Sequence, residues 1–213
     1  MKALVTGFDP FGGDALNASR EAVQRLPSQI GRLEIAIAQL PTSFARAPAV
    51  LLEAIATVDP ALVLCVGEAG ERGALCVERV AVNIQDARIP DNDGAQPVDA
   101  PVVPGGPSAY LSTLPVRTVI GALNAAELPA EISMSAGTFV CNHVFYSLMH
   151  LSALRGQPFR GGFLHVPRLP GPKSSGLAMT LEDITLGICI VLEASAEDVR
   201  HLPATDRVPR KPL

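Results

Sequence analysis

The chain has no tryptophan, few aromatic residues and little charge. Only 18% of its 213 residues are charged, against about 25% in an average globular protein. A surface this poor in charge is covered in part, either by other subunits or by closure of an active site, and we expect a homo-oligomer. The net charge is −4 and no basic run is present. This excludes the cationic stripe of a nucleic-acid groove.

Long hydrophobic runs are also missing. No segment reaches the roughly 18 consecutive apolar residues that predict a membrane span, and the apolar start of the chain is too short for a signal peptide. The four cysteines are Cys65, Cys76, Cys141 and Cys189, with neither CxxC spacing nor the framework of a disulfide-rich protein. We therefore expect reduced thiols in a cytoplasmic protein without membrane or nucleic-acid partners.

The sequence does contain an alternation of apolar runs and amphipathic stretches. The run 61–66 (ALVLCV) is apolar throughout, as in a strand buried on both faces. Further strands are predicted at 2–6, 33–40, 131–135 and 161–166, with a strand or hairpin at 74–84. Helices are predicted after a cap at Ser19, at 43–58, 115–128 and 139–154, and after a capping box at Thr180 and Asp183. The alternation predicts an α/β domain, with a mostly parallel sheet between two helical layers.

The segment 85–108 is rich in proline and glycine. A structureless stretch of this length inside a compact domain is usually functional, so we expect a lid, a binding loop or a subunit contact. Neither a linker nor an internal repeat is visible, which predicts one catalytic domain at 1–200. The remaining residues, 201–213, are rich in proline and charge and are predicted to fray.

Cys141 differs from the other cysteines in its position. Cys65 and Cys189 lie within apolar runs, where a thiol is hidden and hard to ionise, and Cys76 stands beside charged residues with its role open. Cys141 follows the turn 135–138, in the first turn of a predicted helix. A helix start favours a thiolate and offers unpaired N–H groups as an oxyanion hole. The position fits a nucleophile, and equally a buried cysteine at a helix start.

A thiol nucleophile needs a base, usually histidine, and the chain has four. His143 and His150 share the predicted helix of Cys141 but point to other sides of it, and His201 is in the polar tail. His165 ends an apolar strand run, where the carboxyl ends of parallel strands form sites. We therefore pair Cys141 with His165, against the alternative of a histidine satisfied within the core.

Glu78 is the candidate for orienting the base. It stands between apolar neighbours in 77–80 (VERV), which predicts partial burial and the need for a partner. An ion pair with Arg72 or Arg79 is one alternative. A hydrogen bond to the imidazole of His165, as in a catalytic triad, is the other. Composition alone leaves both open.

Two weaker signals point to other chemistry. The loop 7–13 (GFDPFGG) is superficially similar to a phosphate loop but lacks its Lys-Ser/Thr. Cys141, His143 and His150 are metal-ligating residue types, but their spacing is not that of a structural zinc site. No metal site is predicted.

Four motifs in a fixed order give the chain a recognisable likeness, to about residue 195. They are LVTGFDPFGG at 4–13 followed by Asn17, ERVAVN at 78–83 with DARIPDN at 86–92, AGTFVCN at 136–142 followed by Phe145 and Tyr146, and HVP at 165–167. Through them the chain resembles the pyroglutamyl-peptidase I family, also called pyrrolidone-carboxylate peptidase. One motif alone would be unspecific, whereas four in order are specific.

The resemblance implies a fold, an activity and a set of site residues. The fold is an α/β/α sandwich like that of purine nucleoside phosphorylases, often assembled as a homotetramer. The activity is removal of an N-terminal pyroglutamyl residue from small peptides by Cys141, His165 and Glu78, through a thioester and without metal or organic cofactor. The implied lactam pocket consists of Phe8, Phe11, Ile89, Phe139 and Val140, with Asn17 and Thr42 as polar neighbours.

The chain departs from the family pattern beside this pocket. The usual Gln-Ala-Gly-Gly-Arg is Glu-Ala-Gly-Glu-Arg here, at 68–72, and Ala18 stands where proline is common, a change we expect to be minor. An ionised Glu68 accepts the lactam N–H but cannot donate to the lactam carbonyl. Recognition therefore depends on whether the side chain or the backbone makes these bonds. The alternatives are a non-catalytic lactam-binding protein and, by fold analogy alone, a nucleoside phosphorylase.

Overall fold

The computed structural model describes residues 1–156, 158–171, 174 and 177–198. The tail predicted at 201–213, which contains His201, lies outside the described residues. The strands are β1 Lys2–Phe8, β2 Gln29–Ile30, β3 Leu33–Leu40, β4 Leu62–Glu68, β5 Leu75–Glu78, β6 Val80–Val82, β7 Ala109–Leu111, β8 Ala130–Ser133 and β9 Arg160–Val166. The helices are α1 Ala18–Gln24, α2 Ala47–Val58, α3 Val116–Ala125, α4 Val140–Leu154 and α5 Leu181–Asp198.

A seven-stranded sheet forms the centre, in the order β2-β3-β1-β4-β9-β5-β8. Strands β3, β1, β4 and β9 are parallel neighbours. Strand β2 is antiparallel to β3, and β5 is antiparallel to β9 while β8 is parallel to β5. The predicted mixed, mostly parallel sheet is confirmed.

The sheet has a hydrophobic core on each face, which explains the uninterrupted apolar run of β4. Leu62, Leu64 and Val66 pack on the face covered by α1, α3 and α5. Val63 and Cys65 alternate with them and pack on the face covered by α2 and α4. Because successive strand residues point to opposite faces, burial of both faces requires apolar residues throughout. Within the described chain, no helix combines the length and apolar character needed to cross a membrane.

The segment predicted as a strand or hairpin at 74–84 is neither. Strand β5 belongs to the central sheet, whereas β6 pairs antiparallel with β7 in a separate two-stranded sheet. The change of partner occurs at Arg79, whose N–H donates to Ser133 O at 2.8 Å while its carbonyl accepts from Ser112 N at 2.9 Å. Tertiary hydrogen bonding on both sides of one residue therefore divides the apolar stretch.

Helix α1 is capped by Asn17, not by Ser19 as predicted. The Asn17 Oδ1 accepts from the Ser19 backbone N–H at 3.0 Å and from the Ser19 hydroxyl at 2.7 Å. The Ser19 Oγ in turn accepts from Phe8 N at 3.0 Å. Asparagine reaches the second N–H of the helix from the position before it, and the serine then links the helix to the end of β1.

Helix α2 begins at Ala47, later than the predicted 43. Pro48 lies in its first turn, where proline is tolerated because the N–H that it lacks would have no intrahelical acceptor. Ser43 instead belongs to the preceding turn, where its Oγ accepts from Arg46 N at 3.2 Å.

Candidate active site

Glu78 and His165 form a hydrogen-bonded pair across two antiparallel strands. Their Oε1 and Nδ1 atoms are 2.7 Å apart. Cys76 lies opposite His165 in the β5–β9 register, so Glu78, two residues further on, projects from the same face. Both side chains are buried, with Glu78 fully inaccessible. The bond to Nδ1 leaves Nε2 of the imidazole as the nitrogen available for proton transfer.

Arg72 is a second partner of Glu78. Its Nη1 donates to Glu78 Oε1 at 2.8 Å and to Ser133 Oγ at 3.1 Å. Its Nη2 donates to Ser135 O, in the turn before α4, at 2.9 Å. The two partners that the sequence offered as alternatives, an arginine and His165, therefore both bind this carboxylate. Arg79 is not the arginine that binds it.

Glu78 is held ionised by these partners. Burial by itself raises the pKa of the Glu78 carboxyl, but the bonds and charges of His165, Ser133 and Arg72 outweigh burial and bring the pKa below its usual value. A carboxylate that is negative throughout the neutral range can orient an imidazole and stabilise its protonated form.

Cys141 lies in the first turn of α4, as predicted. It packs against β4, the strand next to the one that carries His165. A Cβ placed on Gly67 would lie 2.9 Å from the Cys141 Sγ and 2.8 Å from Cζ of Phe163. Gly67 is the direct partner of His165 in the parallel β4–β9 pair. Partner residues on neighbouring strands lie about 5 Å apart and project from the same face. The thiol therefore occupies the space where a side chain on Gly67 would lie, on the face of the sheet from which His165 projects.

The thiol and the imidazole are both biased toward their neutral forms. Burial raises the pKa of the Cys141 thiol to about 12, and the charge of Glu78 adds to the effect. Burial also lowers the pKa of His165, against the opposing influence of Glu78. The helix start favours the thiolate, whereas burial and the charge of Glu78 oppose it.

The start of α4 has free hydrogen-bond donors. Phe139 is its N-cap residue and supplies no side-chain hydrogen bond. Asn142 is turned away, with its side chain bound to Val82 N, Val82 O and Ile84 O at 2.9–3.1 Å. The first N–H groups of a helix have no intrahelical acceptor. They are therefore available beside the Cys141 thiol.

A narrow cavity lies beside the thiol. Its accessible volume is only about 10 Å³, and it is lined by Phe8, Phe11, Asn17, Thr42, Glu68, Phe139 and Cys141. The structure thus brings together five of the seven residues implied as the lactam pocket, and Glu68 with them. Space for about one water molecule remains, so a five-membered ring enters only if the aromatic side chains move apart.

The other two implied pocket residues do not line this cavity. Val140 is fully buried in the core on the α2–α4 face. The Cδ1 atom of Ile89 lies 3.7 Å from where a Cβ on Gly12 would be. Ile89 therefore packs against the loop that carries Phe11, on the outer side of the cavity.

Aromatic packing around the cavity includes a residue that the sequence reasoning missed. Phe44 meets Phe139 edge-on at a centroid distance of 5.3 Å, and Phe139 meets Phe11 at 6.0 Å. The available signal was its position two residues after Thr42 in a chain with only seven phenylalanines. Gly67 was also missed as a site residue, because its role depends on tertiary contacts.

The polar residues of the pocket hold the loop after β1. Thr42 Oγ1 donates to Asp9 O at 2.8 Å, and Asn17 Nδ2 donates to the same carbonyl at 3.3 Å. Asn17 also caps α1 with its Oδ1. Both side chains therefore already have partners, and they position Phe8 and Phe11 by fixing the backbone between them.

Glu68 faces away from the thiol. Successive residues of β4 point to opposite faces, so Gly67 meets Cys141 while the Glu68 side chain turns toward α1. Its Oε2 accepts from Ala18 N at 2.7 Å, and its Oε1 lies 3.3 Å from Arg168 Nε. Burial raises the pKa of Glu68, while Ala18 N–H and Arg168 oppose the rise and Asp14 adds to it. Both carboxylate oxygens have partners outside the cavity.

Part of the proline-rich segment 85–108 is hydrogen-bonded to the loops that carry residues of the cavity. Thr138 and Asp86 exchange two hydrogen bonds, of 2.7 and 3.0 Å. Asp91 Oδ2 accepts from Phe44 N at 2.8 Å, and Asn92 donates to Thr42 O and Pro10 O at 3.0 and 2.9 Å. These contacts support the binding-loop interpretation for residues 86–92.

The histidines of α4 have separate surroundings. His143 Nδ1 is 2.9 Å from Gln85 Oε1, and burial lowers the pKa of His143 to about 4. His150 Nδ1 is 2.8 Å from the hydroxyl of Tyr110. Across the described residues, no three His, Cys, Asp or Glu side chains are grouped as metal ligands would be.

The site combines a thiol at a helix start without a side-chain cap, an imidazole and an ionised carboxylate. It lies at the edge of the sheet of an α/β/α sandwich. These groups define a cysteine-type hydrolase. The family model described as pyroglutamyl peptidase matches residues 1–198. The pyrrolidone-carboxylate peptidase of Enterococcus faecalis is 46% identical over 200 residues, covering 92% of this chain and 94% of the relative. That of Alkaliphilus oremlandii is 43% identical over 205 residues, covering 95% and 96%.

Solved structures agree with these relatives. Pyroglutamyl peptidase I of Bacillus amyloliquefaciens superposes with a TM-score of 0.89 at 42% identity, covering 92% of this chain and 97% of that one. A mutant pyrrolidone carboxyl peptidase of Pyrococcus furiosus gives 0.89 at 38% identity, covering 93% and 100%. The chain belongs to the pyroglutamyl peptidase family, and the resemblance carried by the four motifs is confirmed.

Proposed function

We propose that this protein is a cysteine peptidase that removes the N-terminal pyroglutamyl residue from peptides. Cys141 is the nucleophile, His165 the base and Glu78 the group that orients it. The observation that carries the proposal is the 2.7 Å bond between Glu78 and His165, together with a thiol that packs on Gly67, the strand partner of His165. The names of the family and of the matching relatives support the choice of substrate.

Recognition of the lactam follows from the cavity lining. Phe8, Phe11 and Phe139 offer ring faces and edges to a flat, uncharged ring. The ammonium group of an ordinary N-terminus would be buried there without a counter-charge, which is costly. Since the Glu68 carboxylate is bound to Ala18 N and Arg168, we assign the polar edge of the lactam to backbone groups at the end of β4.

Chemistry begins with both catalytic groups neutral. As Sγ attacks the carbonyl carbon, its proton passes to Nε2 of His165, and the Nδ1–H of the new imidazolium stays bound to the Glu78 carboxylate. The free N–H groups at the start of α4 bind the oxyanion. His165 then protonates the departing amine, leaving a thioester on Cys141. Water deprotonated by His165 hydrolyses the thioester and releases pyroglutamate. No metal or organic cofactor has a role in these reaction steps.

Release of a chromogenic amine from a pyroglutamyl amide, under reducing conditions, tests this function. The wild-type protein should release the amine, and Cys141→Ala should not. Cys189→Ala is the matched control, since it removes a partly exposed thiol of α5 and should retain activity. Binding of pyroglutamate without turnover by the wild type would favour the non-catalytic lactam-binding alternative.

We also assign the protein to a reducing compartment, the cytoplasm, and to a homotetrameric assembly. All four cysteines are free thiols, as a reducing environment requires. The low charged fraction of the sequence and the family resemblance support association. Light scattering on the purified protein measures the assembly directly, and a monomer at micromolar concentration would refute it.

A further inference from the structure

Ser133 lies directly opposite Glu78 in the parallel pair of β5 and β8. Strand β5 runs between β9 and β8, so His165 approaches the Glu78 carboxylate from one side and Ser133 stands on the other. Neighbouring strands are about 4.8 Å apart, and paired residues project from the same face. Ser133 is buried. The carboxylate therefore lies between an imidazole and a hydroxyl group.

The Ser133 hydroxyl binds both the arginine that holds Glu78 and the turn before α4. Its Oγ accepts from Arg72 Nη1 at 3.1 Å, and the same nitrogen donates to Glu78 Oε1 at 2.8 Å. The Oγ also accepts from Ser135 N at 3.3 Å and donates to Ser135 O at 3.1 Å. Arg72 Nη2 donates to that carbonyl too, at 2.9 Å. One hydroxyl thus connects the surroundings of the carboxylate to the turn that leads to Cys141.

One oxygen of the Glu78 carboxylate is still available to a donor. Oε1 lies 2.7 Å from His165 Nδ1 and accepts from Arg72, whereas Oε2 is buried without a hydrogen-bond partner among the described residues. A buried carboxylate oxygen without a donor is costly. A hydroxyl has a single hydrogen and rotates to suit its acceptor. Ser133 can therefore donate either to the Ser135 carbonyl or to the carboxylate opposite.

The ionisation of Glu78 agrees with this arrangement. Burial raises the pKa of Glu78, while the hydrogen bonds of His165 and Ser133 and the charge of Arg72 bring it below its usual value. The titratable and charged groups around the carboxylate are His165 on β9, Arg72 in the loop after β4, Cys76 on β5, Glu131 on β8 and Cys141 on α4. Because Glu78 and His165 are hydrogen-bonded, they titrate as a pair. Loss of a donor to the carboxylate makes a proton on this pair more favourable.

We propose that Ser133 is a positioning residue of the reaction, whose hydroxyl holds the Glu78 carboxylate and the turn before α4 in one arrangement. Ser133 is not among the described residues that line the cavity beside the thiol, so it acts through Glu78 and Arg72 and not on the substrate. The inference rests on the function proposed above and extends it, since the catalytic groups assigned there are Cys141, His165 and Glu78.

Ser133→Ala tests the role of the hydroxyl, with kcat and KM for a chromogenic pyroglutamyl amide measured between about pH 5 and 9. At neutral pH kcat should fall about threefold to tenfold, with KM changed less than about twofold. Activity needs the ionised carboxylate and is lost as the pH falls through the pKa of the pair, which rises without the hydroxyl. The acidic limb of kcat should therefore move upward by about 0.5–1 pH unit.

Ser133→Thr and Ser112→Ala are the matched comparisons. Threonine keeps the hydroxyl and suits a strand, so it should return the acidic limb to the wild-type position and restore most of kcat. Ser112 makes the same kind of turn after β7, where its Oγ accepts from Leu114 N at 3.2 Å and donates to Gly161 O at 3.3 Å. Ser112→Ala removes an equivalent set of bonds and should leave the limb in place.

The position of the acidic limb does not depend on the fraction of folded enzyme. A limb in Ser133→Ala that coincides with the wild type would therefore overturn the proposal, even if kcat falls. A rise of KM alone would also overturn it, since Ser133 would then contact the substrate, and so would a Ser133→Thr limb displaced as far as that of Ser133→Ala. A wild type that releases no amine would refute the proposed function, and this outcome is seen before any variant is compared.

Discussion

The sulfur of Cys141 occupies the space that a side chain on Gly67 would fill. The distance from Sγ to an ideal Cβ at that position is 2.9 Å, less than the atoms can tolerate without movement. Because Gly67 is paired with His165 across β4 and β9, the absence of one side chain sets the approach of the thiol to the imidazole. The absence of a side chain at Gly67 is therefore part of the catalytic geometry.

Gly67→Ala should therefore reduce activity sharply. The new methyl group meets both Cys141 Sγ and the ring of Phe163, which should displace the thiol and lower kcat/KM for a pyroglutamyl amide about a hundredfold. Overpacking should also lower the unfolding free energy by about 1–3 kcal/mol. Gly121→Ala is the control, since this exposed glycine of α3 has open space around its Cβ. That change should stabilise the protein by about 0.5–1 kcal/mol. Full activity in Gly67→Ala would contradict the contact.

Arg72 should act through Glu78 rather than on the substrate. Burial raises the pKa of Glu78, and His165, Ser133 and Arg72 lower it. In Arg72→Gln the pKa of Glu78 should rise. Activity needs the ionised carboxylate and is lost as the pH falls through that pKa, so the acidic limb of kcat against pH should move upward.

The magnitude expected for Arg72→Gln is about a tenfold loss of kcat at neutral pH with little change of KM. Arg72→Lys should recover part of the loss, since it restores the charge without the forked geometry. Arg25→Gln, which breaks an exposed ion pair with Glu182, is the control. An increase of KM alone, without a shift of the acidic limb, would mean that Arg72 contacts the substrate.

The elements that could be predicted from the sequence are those governed by local pattern. The apolar run of β4 and the amphipathic stripe of α4 placed Cys141 at a helix start, and the strand ending near Pro167 placed His165 at the carboxyl edge of the sheet. The ordered motifs then linked these residues to Glu78. Each of these inferences rests on residues close together in the chain, or on a likeness to other chains.

What the sequence could not reveal depends on strand register and direction. Strand β5 is antiparallel to β9, and this pairing places Glu78 diagonally opposite His165. Such a pairing is set by tertiary contacts. The division between β5 and β6 at Arg79 has the same origin. The burial of Cys141, which opposes ionisation of its thiol, could not be predicted either, since it comes from elements far apart in the chain.

His165 and His143 should differ in their importance, although both are buried. His165→Ala removes the proposed base and should reduce kcat about a thousandfold. His143 is bonded to Gln85 and packs edge-on against Phe44, so His143→Ala should leave kcat within about tenfold of the wild type. Steady-state kinetics at matched folded fractions, checked by circular dichroism, separates these outcomes. Equal losses would refute the assignment of the base.

Alkylation should report the neutral state of the thiol. Since burial raises the pKa of Cys141 to about 12, its thiolate fraction at neutral pH is below that of a free cysteine, whose pKa is about 8.5. The rate of modification by iodoacetamide, followed at Cys141 by peptide mass mapping in a Cys189→Ala background, should climb steadily from pH 6 to 10. A rate that reaches a plateau below pH 7 would instead indicate a thiolate–imidazolium pair at rest.

Glu68→Gln should leave the catalytic groups working and should act mainly on KM. An amide oxygen can still accept from Ala18 N, but Arg168 loses one of its two carboxylate partners. The expected result is kcat within about twofold of the wild type, a change of KM below about tenfold, and an unfolding free energy lower by about 0.5–1.5 kcal/mol. Glu71→Gln makes the same chemical change at an exposed position of the same loop and should be silent. A collapse of kcat in Glu68→Gln would place the carboxylate among the reacting groups. A change confined to KM would mean that it acts indirectly, by holding the end of β4 whose backbone we assign to the lactam.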